Sequence, residues 1–372
     1  VKGVSSFSYH EILLEVNIPS KLNDEKLLED KRSLKVEVRK ILYESLRKYF
    51  PDIQTQEDVI EVKSLLGKRA VQDLIDYIKV NKNLAGKSNK LWVGVSSSVD
   101  LFLKNSSDKD YSEFIINKLL ILKATGKIKK RFNSSFFSNN DSREAEVAGI
   151  YSGLIGTLMT IFICIIFSFP FSLFTALYLE EFAPRNKFTD LIEININNLA
   201  SVPSIVFGLL GLAVYISFFG VPRSSSLAGG LTLALLILPI MIISARQSIK
   251  AVPESIKEAG LALGSSPMQV AMNFTLPIAM PSILTGVILG ISRAIGETAP
   301  LIMIGMVSFI ADYPRNFLDP TLTLPVQVYL WSDSPEQGFL EKTSGAIIIL
   351  LFILIAINYW AIFLRKKYKK KW

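Results

Sequence analysis

The sequence predicts an α+β soluble domain followed by an all-α polytopic membrane domain. Charged residues of both signs crowd the chain as far as about Glu146, whereas from Val147 onward uncharged apolar stretches recur. Each of these is near the ~20 residues a helix needs to cross a bilayer. Before the boundary, apolar residues follow both the two-residue period of strands and the 3.6-residue period of helices. The expected division is therefore 1–146 and 147–372.

In the first part, Ile12, Leu14, Val16 and Ile18 alternate as in a half-buried strand, and Leu34, Val36 and Val38 read as a second. Helical spacing follows at Ile41, Leu42, Leu46, Tyr49 and Phe50, at Val71, Leu74, Ile75 and Ile78, and at Phe114, Ile115, Leu119 and Leu122. These patterns describe cores, not sites. The charges interleave, as in Asp24-Glu25-Lys26 and in Lys35, Glu37 and Arg39, which is the signature of a solvated surface. Cys164, inside an apolar stretch, is the only cysteine, so no intrachain disulfide braces either part.

In the second part five segments supply spanning helices: Val147 to Leu179, Ile194 to Pro222, Ser224 to Ala245, a run from Ala259 to Ser292, and Thr343 to Leu364. Pro267, Pro277 and Pro281 predict that the fourth run begins as a bent, non-spanning entry to a helix of about Ser282 to Ile310. The formal charge of +8 does not point to nucleic acid. Of the 15 Lys and Arg after Val147, six fall in the last eight residues, RKKYKKKW, a juxtamembrane basic tail. That tail belongs on the cytoplasmic side, which by alternation places the Ala311 to Lys342 loop outside, the Arg246 to Met280 and Glu180 to Glu193 loops inside, and the soluble domain in the periplasm. The chain opens on Val1 with no early apolar segment, so a preceding N-terminal piece is expected.

Function concentrates in the cytoplasmic loop running from Ala251 through Pro253, Glu258, Ala259, Gly260 and Gly264 to Leu276 and Pro277. Pro253 suits the first turn of a short helix and Gly264 its left-handed termination. An ordinary amphipathic loop helix is one reading. The other is that the segment resembles the coupling loop of ABC importer permeases: Glu-Ala-Ala, three residues, Gly, nine residues, then Ile, any residue, Leu-Pro. Glu258, Ala259, Gly264, Leu276 and Pro277 fall at those positions, with Gly260 in place of Ala and Phe274 in place of Ile. The resemblance implies a type 1 importer permease domain of the MetI-like fold, whose coupling helix, 251–264, docks into an ATPase subunit.

A second constellation is Gly290-Ile-Ser-Arg-Ala-Ile-Gly-Glu-Thr-Ala-Pro300, where Arg293 and Glu297 lie four apart on one helix face near mid-membrane. A charge there costs about 2.5–3.5 kcal/mol on insertion scales, so such residues pair with each other or face an aqueous pathway. Gly290, Gly296 and Pro300 fit close helix contacts and a bend. Together with Ser201-Val-Pro-Ser-Ile-Val206 and Leu324-Pro-Val-Gln-Val-Tyr329, this stretch resembles the PstA family of phosphate permeases. That resemblance implies an inorganic phosphate pathway through Arg293 and Glu297, with Arg246 as a weaker third residue that a helix-end anchoring role also explains. It also implies six spans, the first preceding the soluble domain. Arg131-Phe-Asn-Ser-Ser-Phe-Phe137 and Asp141-Ser-Arg-Glu144 resemble an extra extracytoplasmic domain found in a subset of these permeases.

The implied partners are a second, PstC-like permease, two PstB-like ATPase subunits that use ATP and Mg, a PstS-like periplasmic phosphate-binding protein, and the lipid bilayer. The chain itself is expected to be no enzyme and to bind no cofactor, metal or nucleic acid. Gly86-Lys87-Ser88 lacks the glycine a phosphate-binding loop needs at position 81, where Asn81 stands. Lys127-Ile-Lys-Lys-Arg131 reads as a solvated strand or turn. His10, the single histidine, forms no metal cluster. A secondary anion transporter would need no coupling loop, and a membrane sensor would need a cytoplasmic output domain that the short tail after Leu364 does not supply.

Overall fold

The computed structural model describes residues 2–19, 30–51, 53, 56–81, 88–104, 111–306, 310 and 312–368. Asp24-Glu25-Lys26, Gly86 and Lys87, and the tail from Lys369 lie outside them. The chain divides into two units, one of Val1–Gly149 with Trp331–Ala346 and one of Ile150–Leu330 with Ile347–Trp372.

The first unit is built on a three-stranded antiparallel sheet of order β2-β1-β3, with β1 at Ser8–Asn17, β2 at Ser88–Gly94 and β3 at Ile128–Phe132. Ile12 stands opposite Val93 on one side and Ile128 on the other, and all three are buried. Strand alternation turns Ile12, Leu14 and Val16 to that same face. The longer helices that flank the strands in the chain are α1 (Lys31–Arg47), α2 (Gln56–Ser64), α3 (Lys68–Val80), α4 (Ser97–Leu103) and α5 (Glu113–Ala124), with short turns of helix at Lys2–Ser5 and Ser134–Ser138.

Leu34, Val36 and Val38 belong to α1 and not to a strand. Three alternating residues also satisfy the i, i+4 spacing. Leu34, Val38, Ile41, Leu42 and Leu46 form one buried stripe, while Val36 points out at 54% exposure. Asp30 begins the helix by accepting the Arg32 N–H at 3.0 Å.

A buried ionic cluster closes this unit. His10 Nδ1 lies 2.8 Å from Asp100 Oδ1, Lys104 Nζ 2.7 Å from Asp100 Oδ2, and the same Nζ 2.9 Å from Glu341 Oε1. Burial alone would raise the Asp100 carboxyl, but the His10 hydrogen bond and the Lys104 charge outweigh it and hold it below the usual range. Trp331 Nε1 donates to Asp141 at 3.0 Å, securing the segment that joins this unit from late in the sequence.

The second unit contains α6 (Tyr151–Glu181), α7 (Lys187–Ala200), α8 (Ser204–Gly211, continued by a π-helical stretch Leu212–Phe218), α9 (Ser226–Lys250), α10 (Glu254–Ala262), α11 (Leu276–Gly296), α12 (Ala299–Met303), most of α13 (Leu324–Ser332), and α14 (Gln337–Tyr368) from Ile347 onward. Among the described residues four helices are long and apolar enough to cross a membrane: α6, α9, the continuous stretch Pro267–Gly296, and α14.

Two of the expected spans differ. Ile194 to Pro222 is not one straight helix, because α7 and α8 meet at 104°. Pro203 stands at the joint in an extended conformation (φ −57°, ψ 137°) and has no N–H with which to continue α7. The fourth helix is also displaced relative to expectation. It runs from Pro267 through a π-helical turn, Ala271–Thr275, to Gly296, so it does not start at Ser282 or reach Ile310. The wider turn accommodates Pro277, whose ring would otherwise press on the carbonyl four residues back.

Small residues let the backbones close in, as apolar driving force alone cannot do in lipid. A Cβ at Gly230 of α9 would stand 2.6 Å from Ile163 Cβ of α6, and one at Gly286 of α11 would stand 2.0 Å from Ser244 Oγ of α9.

Candidate functional site

The segment 251–264 is largely exposed. Helix α10 buries only Gly260 and presents Glu258, Ala259 and Leu261 outward, and its C-cap residue Leu263 is also exposed. Pro253 sits just before the first helical residue instead of within the first turn. At the other end Gly264 adopts φ +83°, a left-handed conformation that a side chain opposes. The Gly264 N–H donates to the Leu261 carbonyl at 2.9 Å and the Ser265 N–H to the Gly260 carbonyl at 3.2 Å, the paired bonds of a Schellman termination. Ser266 then caps the following turn in a reciprocal box with Gln269. The loop is thus two capped helical pieces that meet at Gly264–Ser266.

The two departures from the motif face each other. A Cβ at Gly260 would lie 3.0 Å from Val270 Cγ2 and 3.6 Å from Phe274 Cδ2. An alanine methyl at 260 would meet the Phe274 ring at ordinary contact distance, and Val270 is its tight neighbour. Leu276 is buried in the cluster of Leu173, Ala176, Leu177 and Ile249, while Pro277 is exposed.

Arg293 and Glu297 do meet, at 3.5 Å between Nε and Oε1. They sit at the last turn of α11, where Glu297 leaves the helix with ψ 126°, and not in mid-helix. Pro300 opens α12 instead of kinking a continuous helix. It packs on α8, since a Cβ at Gly208 would lie 2.7 Å from Pro300 Cα. Gly290 makes the expected close contact, 3.1 Å from Met241 Cγ for an added Cβ, but Gly296 faces open space. Arg293 is 40% exposed and makes no hydrogen bond among the described residues, so most of its guanidinium donors are uncommitted.

Arg246 is the opposite case. Its Nε and Nη2 lie 2.8 and 2.7 Å from Glu180 Oε1 at the end of α6, and its Nη2 lies 2.6 Å from Glu193 Oε1 of α7. This arginine clamps three helices, and its donors are largely used.

Sequence reasoning missed Glu180, Glu181, Glu193 and Lys257. Lys257 Nζ of α10 lies 2.6 Å from Glu181 Oε1. The available signal was two adjacent carboxylates closing a long apolar run. It also missed Asn358, whose Oδ1 accepts from Ser292 Oγ at 2.8 Å, beside Arg293. A lone asparagine in the apolar Ile347 to Trp360 stretch was its mark.

Residues 168–371 match the family described as "Binding-protein-dependent transport system inner membrane component", and residues 1–113 match a domain of unknown function, DUF3333. The "Phosphate transport system permease protein PstA 1" of Mycobacterium tuberculosis (strain CDC 1551 / Oshkosh) is 31% identical over 222 residues, 60% of this chain and 72% of that protein. The "Probable ABC transporter permease protein YqgI" of Bacillus subtilis (strain 168) is 30% identical over 236 residues, 59% of this chain and 79% of that protein. A solved chain of the MetNI methionine ABC transporter, in an inward-facing conformation, superposes with a TM-score of 0.47 at 14% identity, over 60% of this chain and 95% of that one. With spanning helices, an exposed loop helix and a family match over more than half its length, the chain belongs to the inner membrane components of binding-protein-dependent transport systems, as a multi-pass permease subunit of an ABC-type importer whose N-terminal unit is extracytoplasmic.

Proposed function

We propose that this permease translocates inorganic phosphate, together with a second permease subunit, two cytoplasmic ATPase subunits and a periplasmic phosphate-binding protein. Relatives named for phosphate transport support the substrate, and the uncommitted guanidinium of Arg293 at a helix break is the observation that carries it. Broken helices and unsaturated charge at membrane depth are tolerated where they line a cavity or pathway. Glu297 holds Arg293 by one 3.5 Å contact, loosely enough for an anion to compete. Arg246, whose Nε and Nη2 are engaged by Glu180 and Glu193, is a positioning residue in this reading and no longer a third substrate contact. The coupling role falls to 251–264, with Glu258, Ala259, Gly260, Gly264, Leu276 and Pro277 forming or supporting the docking knob.

The test is ATP-dependent uptake of radiolabelled phosphate into vesicles carrying the complete complex. Wild type should take up phosphate, and excess sulfate should leave the rate unaltered. Glu258→Arg, which reverses charge on the exposed face of α10, should stop uptake. Equal uptake without any ATPase subunit would refute ATP coupling, and full competition by sulfate would refute the substrate.

A further inference from the structure

We propose that Glu180 and Glu181 are positioning residues forming a two-pronged ionic joint, through which displacement of α10 is carried into α6, α7 and α9. The proposal rests on the importer reading above and concerns how that importer transmits force.

Successive helical residues point about 100° apart, so two adjacent carboxylates address two different neighbours. Glu181 takes Lys257 of α10 at 2.6 Å, and Glu180 takes Arg246 of α9 at 2.7 Å, which in turn holds Glu193 of α7 at 2.6 Å. The side chains of Glu180 and Glu181 are 17% and 13% exposed, so water and salt screen these pairs poorly. Pulling one partner away would leave a shielded charge unpaired, which resists separation more than sliding apolar contacts do.

The coupling helix has few other handles. Gly260 is its one buried residue, and Ile256 packs only partly against the cluster of Leu173, Ala176 and Leu177. The recipients can respond: Pro170 interrupts the hydrogen-bond ladder of α6 ten residues before Glu180, and Pro239 does so in α9 seven residues before Arg246. Such breaks let a helix end swing while the rest stays packed. The joint would thus turn a push on α10 into a concerted shift of three helix ends.

The test uses the full complex in vesicles and reads phosphate taken up per ATP hydrolysed. In Glu181→Gln that ratio should fall at least about fivefold, the lower end of ordinary site-to-site coupling. The charge-swapped double variant Glu181→Lys with Lys257→Glu should recover it. An unchanged ratio in Glu181→Gln overturns the proposal. Where the single variant does not assemble, the double variant decides. Recovery of assembly and ratio together supports the joint. Assembly with a low ratio, or no assembly, marks the pair as structural only and overturns it. Failure of the wild-type complex to couple uptake to ATP would instead refute the importer reading itself.

Discussion

The carboxylate of Glu146 occupies the space that a side chain at Gly67 would need: a Cβ there would stand 1.8 Å from Glu146 Oε2. That position lets one residue cap two helices. Glu146 Oε2 accepts the Arg69 N–H of α3 at 3.2 Å, and Oε1 accepts the Ser97 N–H of α4 at 3.1 Å. Negative charge at both N-termini is also favourable to the helix dipoles. Gly67→Ala should expel the carboxylate and cost about 1–3 kcal/mol, the range for losing one to two caps. Hydrogen exchange should show this as lost amide protection in α3 and α4, and Glu146→Ala should reproduce it.

Asp100 gives the first unit a defined acid sensitivity. Its folded-state carboxyl is held below its ordinary value of 3.8. A depressed carboxylate contributes stability that is complete above the unfolded pKa and is lost as pH falls through the folded one. The difference in urea midpoint between wild type and Asp100→Asn should therefore be constant above about pH 5 and shrink as pH drops below about 4. A difference that grows on acidification would contradict the His10–Asp100–Lys104 geometry.

The arginines should separate by phenotype. Arg293→Lys and Glu297→Gln should abolish phosphate uptake while complex assembly and ATP hydrolysis persist. Arg246→Lys should destabilise the chain by about 1–3 kcal/mol through the lost two-carboxylate clamp, read as a lower melting temperature of the purified complex. Loss of assembly in Arg293→Lys would assign that arginine to structure instead.

Gly260 and Phe274 should behave as a matched pair. Gly260→Ala gains up to about 1 kcal/mol of helix propensity but must push Val270 aside by a few tenths of an ångström, so its effect should be near neutral. Gly260→Leu should displace Phe274, tilt α10 and weaken ATPase binding about tenfold, equivalent to ~1.4 kcal/mol. Co-purification of the ATPase subunit at increasing salt measures this.

Legibility tracked the range of the interactions. Runs such as Tyr151–Glu181 and Ser226–Lys250 were visible as spans because apolar content over twenty residues is local information. So was the left-handed stop at Gly264, which depends on one residue's lack of a Cβ. The Leu34, Val36, Val38 stretch was misassigned because three residues fit both periods until Ile41, Leu42 and Leu46 are seen to share the buried stripe. The bend between α7 and α8, and the helix break at Glu297, were half visible in Pro203 and Pro300, which fix where a ladder must fail but not the angle that follows.

The sequence by itself determined the apolar runs long enough to span a membrane, the mixed-charge N-terminal part and the segment that resembles a coupling loop, since hydropathy, period and motif spacing are properties of neighbours along the chain. Only the tertiary structure decided which arginine is clamped and which is open. Arg246 and Arg293 are alike as residues, and what distinguishes them is whether Glu180 and Glu193, 66 and 53 positions away, arrive within hydrogen-bond reach. That is set by how helices pack, through contacts no local pattern encodes.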